Sequence, residues 1–205
     1  MPSVIASTTP GSLLELQLQR VPEDIFEPDY AALPPMVRLT AYLTHQRVFG
    51  WLHLGAGRLT DLLNAHEEFR LGDVEIEDFK TGETNAVDEV LIGRDELIAV
   101  VAGDPPGDRA LRRPTWTHPI SLRSGNYLAG GYLHVTPGDD PVADFTGRPP
   151  MVPLTFAWLE YWSGDRRSIQ SIGTIVLNRN RVDTVRVITD DDLIDGSAGR
   201  FHRAQ

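Results

Sequence analysis

Two histidines stand in nearly the same five-residue frame, Gly50-Trp-Leu-His-Leu54 and Gly131-Tyr-Leu-His-Val135. A pair of imidazoles is a candidate metal or acid–base site, since each ring can ligate or move a proton near neutral pH. Metal binding would need both rings and a carboxylate to converge, and nothing in the spacing demands it. In a strand, His53 and His134 point away from the face taken by the neighbouring leucines, which predicts strand-surface histidines. His45, His66, His118 and His202 fall into no ligand pattern. The chain has no cysteine, which removes disulfides, zinc thiolates and cysteine nucleophiles. Asp190, Asp191 and Asp192 with Asp195, and likewise Asp139, Asp140 and Asp144, are acidic enough to attract calcium. Neither group has EF-hand spacing with a glycine turn and closing glutamate, so both read as solvated acidic runs. No phosphate-cradling glycine loop, dinucleotide fingerprint or Gly-x-Ser-x-Gly elbow is present. We therefore expect no catalytic residue, no metal and no cofactor. A metal-dependent enzyme using His53 or His134 is the weakest functional reading.

The elements that must position these histidines are themselves written twice. Gly50/Gly131, Leu52/Leu133, His53/His134, Leu71/Leu154, Glu77/Glu160, Gly82/Gly164 and Arg94/Arg179 coincide, as do apolar pairs such as Ile92/Leu177, Leu97/Val182 and Val100/Val185. The offset drifts from 81 to 83 to 85, as it does when only loops change length. Self-similarity of this kind marks a tandem duplication. In the first copy β-rich stretches run over 37–44, 47–54, 69–79, 86–92 and 96–101. One or two helical turns fall at Arg58–Asn64, and His45-Gln46, Thr81-Gly82 and Arg94-Asp95 make turns. In the second copy the tight turn is Ser124–Asn126, strands follow near 151–162, 168–177 and 181–188, and 137–147 reads as an irregular glycine- and proline-containing loop. Five short antiparallel strands in about 65 residues predict a small closed barrel that hides its own edges. The fold class is mainly β: two tandem five-stranded barrels, with a short helical insert in the first.

The predicted organisation is an N-terminal extension (1–35), a first repeat (36–101), a linker (102–116), a second repeat (117–188) and a C-terminal tail (189–205). Gly 18 and Pro 15 suit many turns,. The net charge of −10 opposes phosphate backbones and anionic lipid,. It is unevenly placed: residues 36–101 hold 6 basic and 12 acidic side chains, whereas 102–188 hold 10 arginines against 8 acids. No window is long and apolar enough to span a bilayer, and the N-terminus lacks the pattern of a secretory signal, so a soluble, cytoplasmic protein is expected.

With strands in place, one copy resembles the Sm/LSm class of small barrels, which are SH3-like. Gly50-Trp51-Leu52 with Asp61-Leu62-Leu63-Asn64 is similar to that family's first motif, and Ile92-Gly93-Arg94-Asp95 to its second. The second copy keeps Gly131 and Leu133, lacks Asp-x-x-Asn, and offers Asn178-Arg179-Asn180 at the last turn. The resemblance implies single-stranded RNA binding, with Asn64 and Arg94 as the base contacts. The charge of the first copy opposes this, so nucleic acid is the alternative and not the leading partner.

The copies differ most in their third strands. Asp73, Glu75 and Glu77 alternate with Val74 and Ile76 in the first. The second reads Phe156-Ala-Trp-Leu-Glu-Tyr-Trp162, which places Ala157, Leu159 and Tyr161 inward and Phe156, Trp158 and Trp162 on the outer face, where the first copy carries Asp73, Glu75 and Phe79. Three outward rings demand a cover: the leucines of the N-terminal segment, the other barrel, or another polypeptide. The leading expectation is a non-enzymatic interaction or assembly module, an accessory or scaffold subunit or a homo-oligomer. Its interface would be Phe156, Trp158 and Trp162, rimmed by Arg112, Arg113, Arg166 and Arg167.

Overall fold

The computed structural model describes residues 35–55, 57–103 and 114–197, all within one compact unit, Pro34–Gln205. The N-terminal leucines, Arg112 and Arg113 lie outside the described residues. Each half lays down the same elements in the same order. The first has β1 (Met36–Tyr42), β2 (Gln46–His53), α1 (Leu59–Ala65), β3 (Glu68–Asp78), β4 (Thr84–Gly93), a 3-10 turn (Arg94–Glu96) and β5 (Ala99–Ala102). The second has β6 (Trp116–Ser124), β7 (Tyr127–Val135), α2 (Pro141–Gly147), β8 (Met151–Ser163), β9 (Arg166–Asn178), a 3-10 turn (Arg179–Arg181) and β10 (Thr184–Val187). A last helix, α3, spans Asp190–Ser197. The stretch expected to be an irregular loop thus contains α2. Asp140 makes the helix possible by accepting the Ala143 N–H at 2.7 Å, with Pro141 opening the first turn,. The 189–205 tail likewise begins as a packed helix, not as a free strand of chain.

The strands do not close into two barrels. They form one open antiparallel sheet in the order β10-β6-β7-β8-β9-β5-β1-β2-β3-β4. Each half repeats the order 5-1-2-3-4, and the halves join where β5 pairs with β9: Ala99 with Leu177, Val100 with Val176, Val101 with Ile175. The physical reason for the correction is that β5 is only four residues long and has β1 on one side and β9 on the other. The edge that closure of the first half would need is taken up by joining the second.

Each half bends around its own apolar cluster, and the clusters borrow across the joint. Val37, Leu39, Leu63, Leu71 and Leu97 pack with Met151 and Val176 of the second half. Ile120, Leu133, Phe145, Leu154 and Leu159 pack with Tyr42, Phe79 and Ile98 of the first. Phe79, expected on the outer face, is therefore buried, because the hairpin it ends reaches into the other half. Burying one such side chain contributes about 1.5–3 kcal/mol, so the exchange binds the halves firmly.

Two repeated glycines have two different causes. At Gly50 the register of β2 on β3 shifts, and at Gly131 that of β7 on β8 does the same. A Cβ on Gly50 would stand 3.1 Å from Leu71 Cβ and Val74 Cγ2; on Gly131 it would stand 3.0 Å from Leu154 Cβ and 3.1 Å from Ala157 Cβ. These are bulges, where an extra residue bends the strand and increases its twist. Gly82 and Gly164, at φ 72° and 57°, instead turn the β3–β4 and β8–β9 hairpins, a conformation that suits glycine.

Candidate interaction surface

The bulge also determines what the outer face of β8 presents. The extra residue is Asp73 in the first copy (φ 49°) and Phe156 in the second (φ 47°). Aspartate tolerates this left-handed conformation, whereas a bulky aromatic is an outlier there. Phe156 is nonetheless 79% exposed, and its ring meets Tyr132 edge-on at 6.3 Å between centroids. Trp162 is 39% exposed. Trp158 departs from the expectation that it would be an open contact: it is fully buried, yet belongs to neither core cluster. It pairs with Gly130 across β7 and β8, where a Cβ on Gly130 would stand 2.6 Å from the indole Nε1. The first copy has Phe49 opposite Glu75 at the same place, so the ring has changed strands and a glycine has made room for it. Helix α3 crosses β6, β7, β8 and β9 on this side. It is moored by the Tyr132 hydroxyl, which donates to Asp190 at 2.9 Å, and by buried Leu193. The chain thus covers one of the three rings and leaves two open. Trp51, equivalent to Tyr132, and Trp116 are also exposed; their place beside a bulge and at a strand start gives them no signal in the alternation.

The arginine rim is only partly available. Arg167 holds Glu160 in a two-pronged contact, Nε to Oε1 at 2.7 Å and Nη2 to Oε2 at 2.8 Å. Glu160 lies between Trp158 and Trp162 along β8, so this pair flanks the exposed Trp162. Arg166 is exposed at the start of β9.

Asn64 and Arg94 are brought together, but toward the joint between halves. The Asn64 amide donates to the Met151 carbonyl and accepts the Met151 N–H, both at 2.9 Å. Arg94 Nη1 donates to the carbonyls of Asn64 at 3.1 Å and His66 at 3.3 Å. Asn178, fully buried, donates to the Arg94 carbonyl at 2.9 Å, while its backbone N–H donates to Ile98. These side chains clamp α1 and the first 3-10 turn to the open end of the β8–β9 hairpin, where Met151 pairs with Asn178.

A polar aromatic cluster closes the same joint. Arg47 donates to Glu77 at 2.5 Å and to the Tyr161 hydroxyl at 2.7 Å; Tyr42 donates to Gln170 at 2.8 Å; Tyr127 donates to the Leu43 carbonyl. Phe79 and Tyr127 stack on Tyr161. Burial raises the Tyr42 hydroxyl to about 12, with the neighbouring Tyr161 adding to the shift. Tyr127 is raised further by the same desolvation. Arg47 keeps its charge against burial because Glu77 and Tyr161 hold it above its ordinary value. All the groups have partners within the seam, as buried polar groups do.

His53 is exposed, and His134 lies within 2.9 Å of Thr155 Oγ1 and 3.2 Å of Thr115 Oγ1. Among the described residues no group of three or more His, Asp or Glu side chains is placed to hold a metal ion. A cleft of about 340 Å³ beside the joint is lined by Thr44, Tyr127, Arg181 and Asp183 among others. Its charged groups are already partnered: Arg181 with Thr44 and Asp183 with the Gly125 N–H. No protein-family model matches the chain, and neither does any characterised protein or solved structure. No helix among the described residues is long and apolar enough to cross a membrane.

Proposed function

We propose that the chain is a non-enzymatic assembly module that binds protein surfaces, as a scaffold or accessory subunit or in a homo-oligomer. The carrying observation is Phe156: a large ring held in left-handed backbone, at a cost of about 1–3 kcal/mol, and presented to solvent on a bulge. Strain and an open apolar ring are both disfavoured in a free surface, and both are common where a partner is gripped. Tyr132 and Trp162 extend the contact, and the Glu160–Arg167 pair gives it a polar border. The same proposal reads each half as a small Sm-like unit that stays open at one edge. The RNA-binding alternative has less support, because the Asn64 amide and Arg94 Nη1 are engaged by backbone groups.

Affinity capture from the native cell tests the reading, comparing the natural chain with Phe156→Asn. The expected result is a discrete set of captured proteins, or further copies of the chain, that the variant loses while its thermal stability is unchanged or higher. Capture that is indifferent to Phe156 sinks it.

A further inference from the structure

The in-chain joint between β5 and β9 has a second, unfilled instance. In the repeat, β5 corresponds to β10 and β9 corresponds to β4, and these are the two outer strands of the described sheet. Among the described residues neither has a partner on its outer side. The residue that β9 brings to the joint, Val176, is 3% exposed, whereas its equivalent Leu91 on β4 is 57% exposed. On β10, Val187 is 48% exposed. An open edge with apolar side chains is a template for another strand.

We propose that β4 of one chain pairs with β10 of a second copy, in the register of the in-chain joint: Ile92 opposite Thr184, Leu91 opposite Val185, Val90 opposite Arg186. That register transfers the pairs Leu177–Ala99, Val176–Val100 and Ile175–Val101 without a shift. It covers Leu91 and Val187, and brings Arg186, opposite Val90, beside its diagonal neighbour Asp88 of β4, while Glu89 faces the other side and holds Arg70,. The charge imbalance between the halves acquires a role, since an acidic half meets the less acidic half of its neighbour. The contact is head-to-tail, so each copy retains one free edge until a ring closes or a filament extends. It is also weaker than the in-chain joint. Gly93 stands where Asn178 clamps, and Thr146, whose hydroxyl is engaged by its own helix, stands where Asn64 clamps. Association is therefore reversible and concentration-dependent. The inference rests on the assembly reading above but uses a different surface from Phe156.

Leu91→Glu and Val187→Glu, both at exposed sites, test it with the full chain by sedimentation velocity. The natural chain associates as concentration rises; each variant is monomeric with an unchanged melting curve, because one edge is disabled in each. Mixing the two variants restores a single joint, between β4 of the Val187→Glu chain and β10 of the Leu91→Glu chain, and yields a one-to-one dimer and nothing larger. A natural chain that stays monomeric throughout, a variant that still associates fully, or a mixture that forms no dimer overturns the proposal. Phe156→Asn should leave this association intact, so loss of partner capture there and failure of edge pairing here are separate results.

Discussion

At the scale of single residues, the second copy moves a ring from one strand to its neighbour, with a glycine left in its place. Gly130 and Trp158 occupy the positions of Phe49 and Glu75. A methyl group on Gly130 would have to displace a fully buried indole, so Gly130→Ala is expected to destabilise by about 1–3 kcal/mol in urea unfolding. In a Trp158→Ala background the same change should cost little, and the coupling read from the double-mutant cycle checks the contact. Phe156 is the opposite case. Replacing it by Asn, which tolerates left-handed backbone, is expected to raise stability by about 1 kcal/mol, visible as a higher melting temperature. A residue that weakens the free molecule and faces solvent is the one whose removal should be felt elsewhere, by a partner.

At the scale of elements, the seam between halves governs stability. Asn64 makes two backbone contacts with Met151 that no hydrophobic substitute can reproduce. Asn64→Leu leaves the Met151 N–H and carbonyl unsatisfied and is expected to cost about 2–4 kcal/mol, with α1 losing its contact to β8. The tyrosines of the seam give a pH signature. Tyr42 is raised to about 12 in the folded chain from the ordinary 10.0, by burial first and Tyr161 second. The folded state then holds the proton more tightly than the unfolded one. Stability from this group is complete below about pH 10 and is lost as pH rises toward 12, a change on the order of 3 kcal/mol,. Tyr127, raised in the same direction, extends the loss upward. Alkaline unfolding followed by tyrosinate absorbance and circular dichroism checks this: ionisation and loss of sheet signal should coincide, and free titration of all tyrosines near pH 10 without unfolding would contradict it.

At the scale of the whole molecule, one antiparallel sheet is built from two copies of the same path, and its outer strands are complementary in the way its inner ones are. Because the proposed edge contact sets Arg186 beside Asp88, raising salt should weaken it, while burial of Leu91 and Val187 is insensitive to screening. A several-fold rise in the dissociation constant between low and high salt, measured by light scattering, is the expected outcome. Association that strengthens with salt would assign the contact to apolar burial alone.

The repeated order of elements, the mainly β class, the positions of most strands and the helical turns expected at 58–64 are legible in the amino-acid sequence, because glycine placement and period-two alternation are local properties,. So is the inward set Ala157, Leu159 and Tyr161, along with the exposure of Phe156 and Trp162. The rest depends on residues distant in the chain. Alternation placed Trp158 on the outer side but carries no information about Gly130, whose missing side chain leaves room for it. It placed Phe79 outside because a strand's period does not show that the hairpin's end enters the other half. Asn64 and Arg94 look alike in sequence whether they face a base or a backbone carbonyl. Closure into two barrels was the natural expectation for each unit read alone. Only the tertiary structure shows β9 taking the free side of β5, since an edge strand's partner is set by which edge the packed fold brings beside it, and the residues of that strand are compatible with either,.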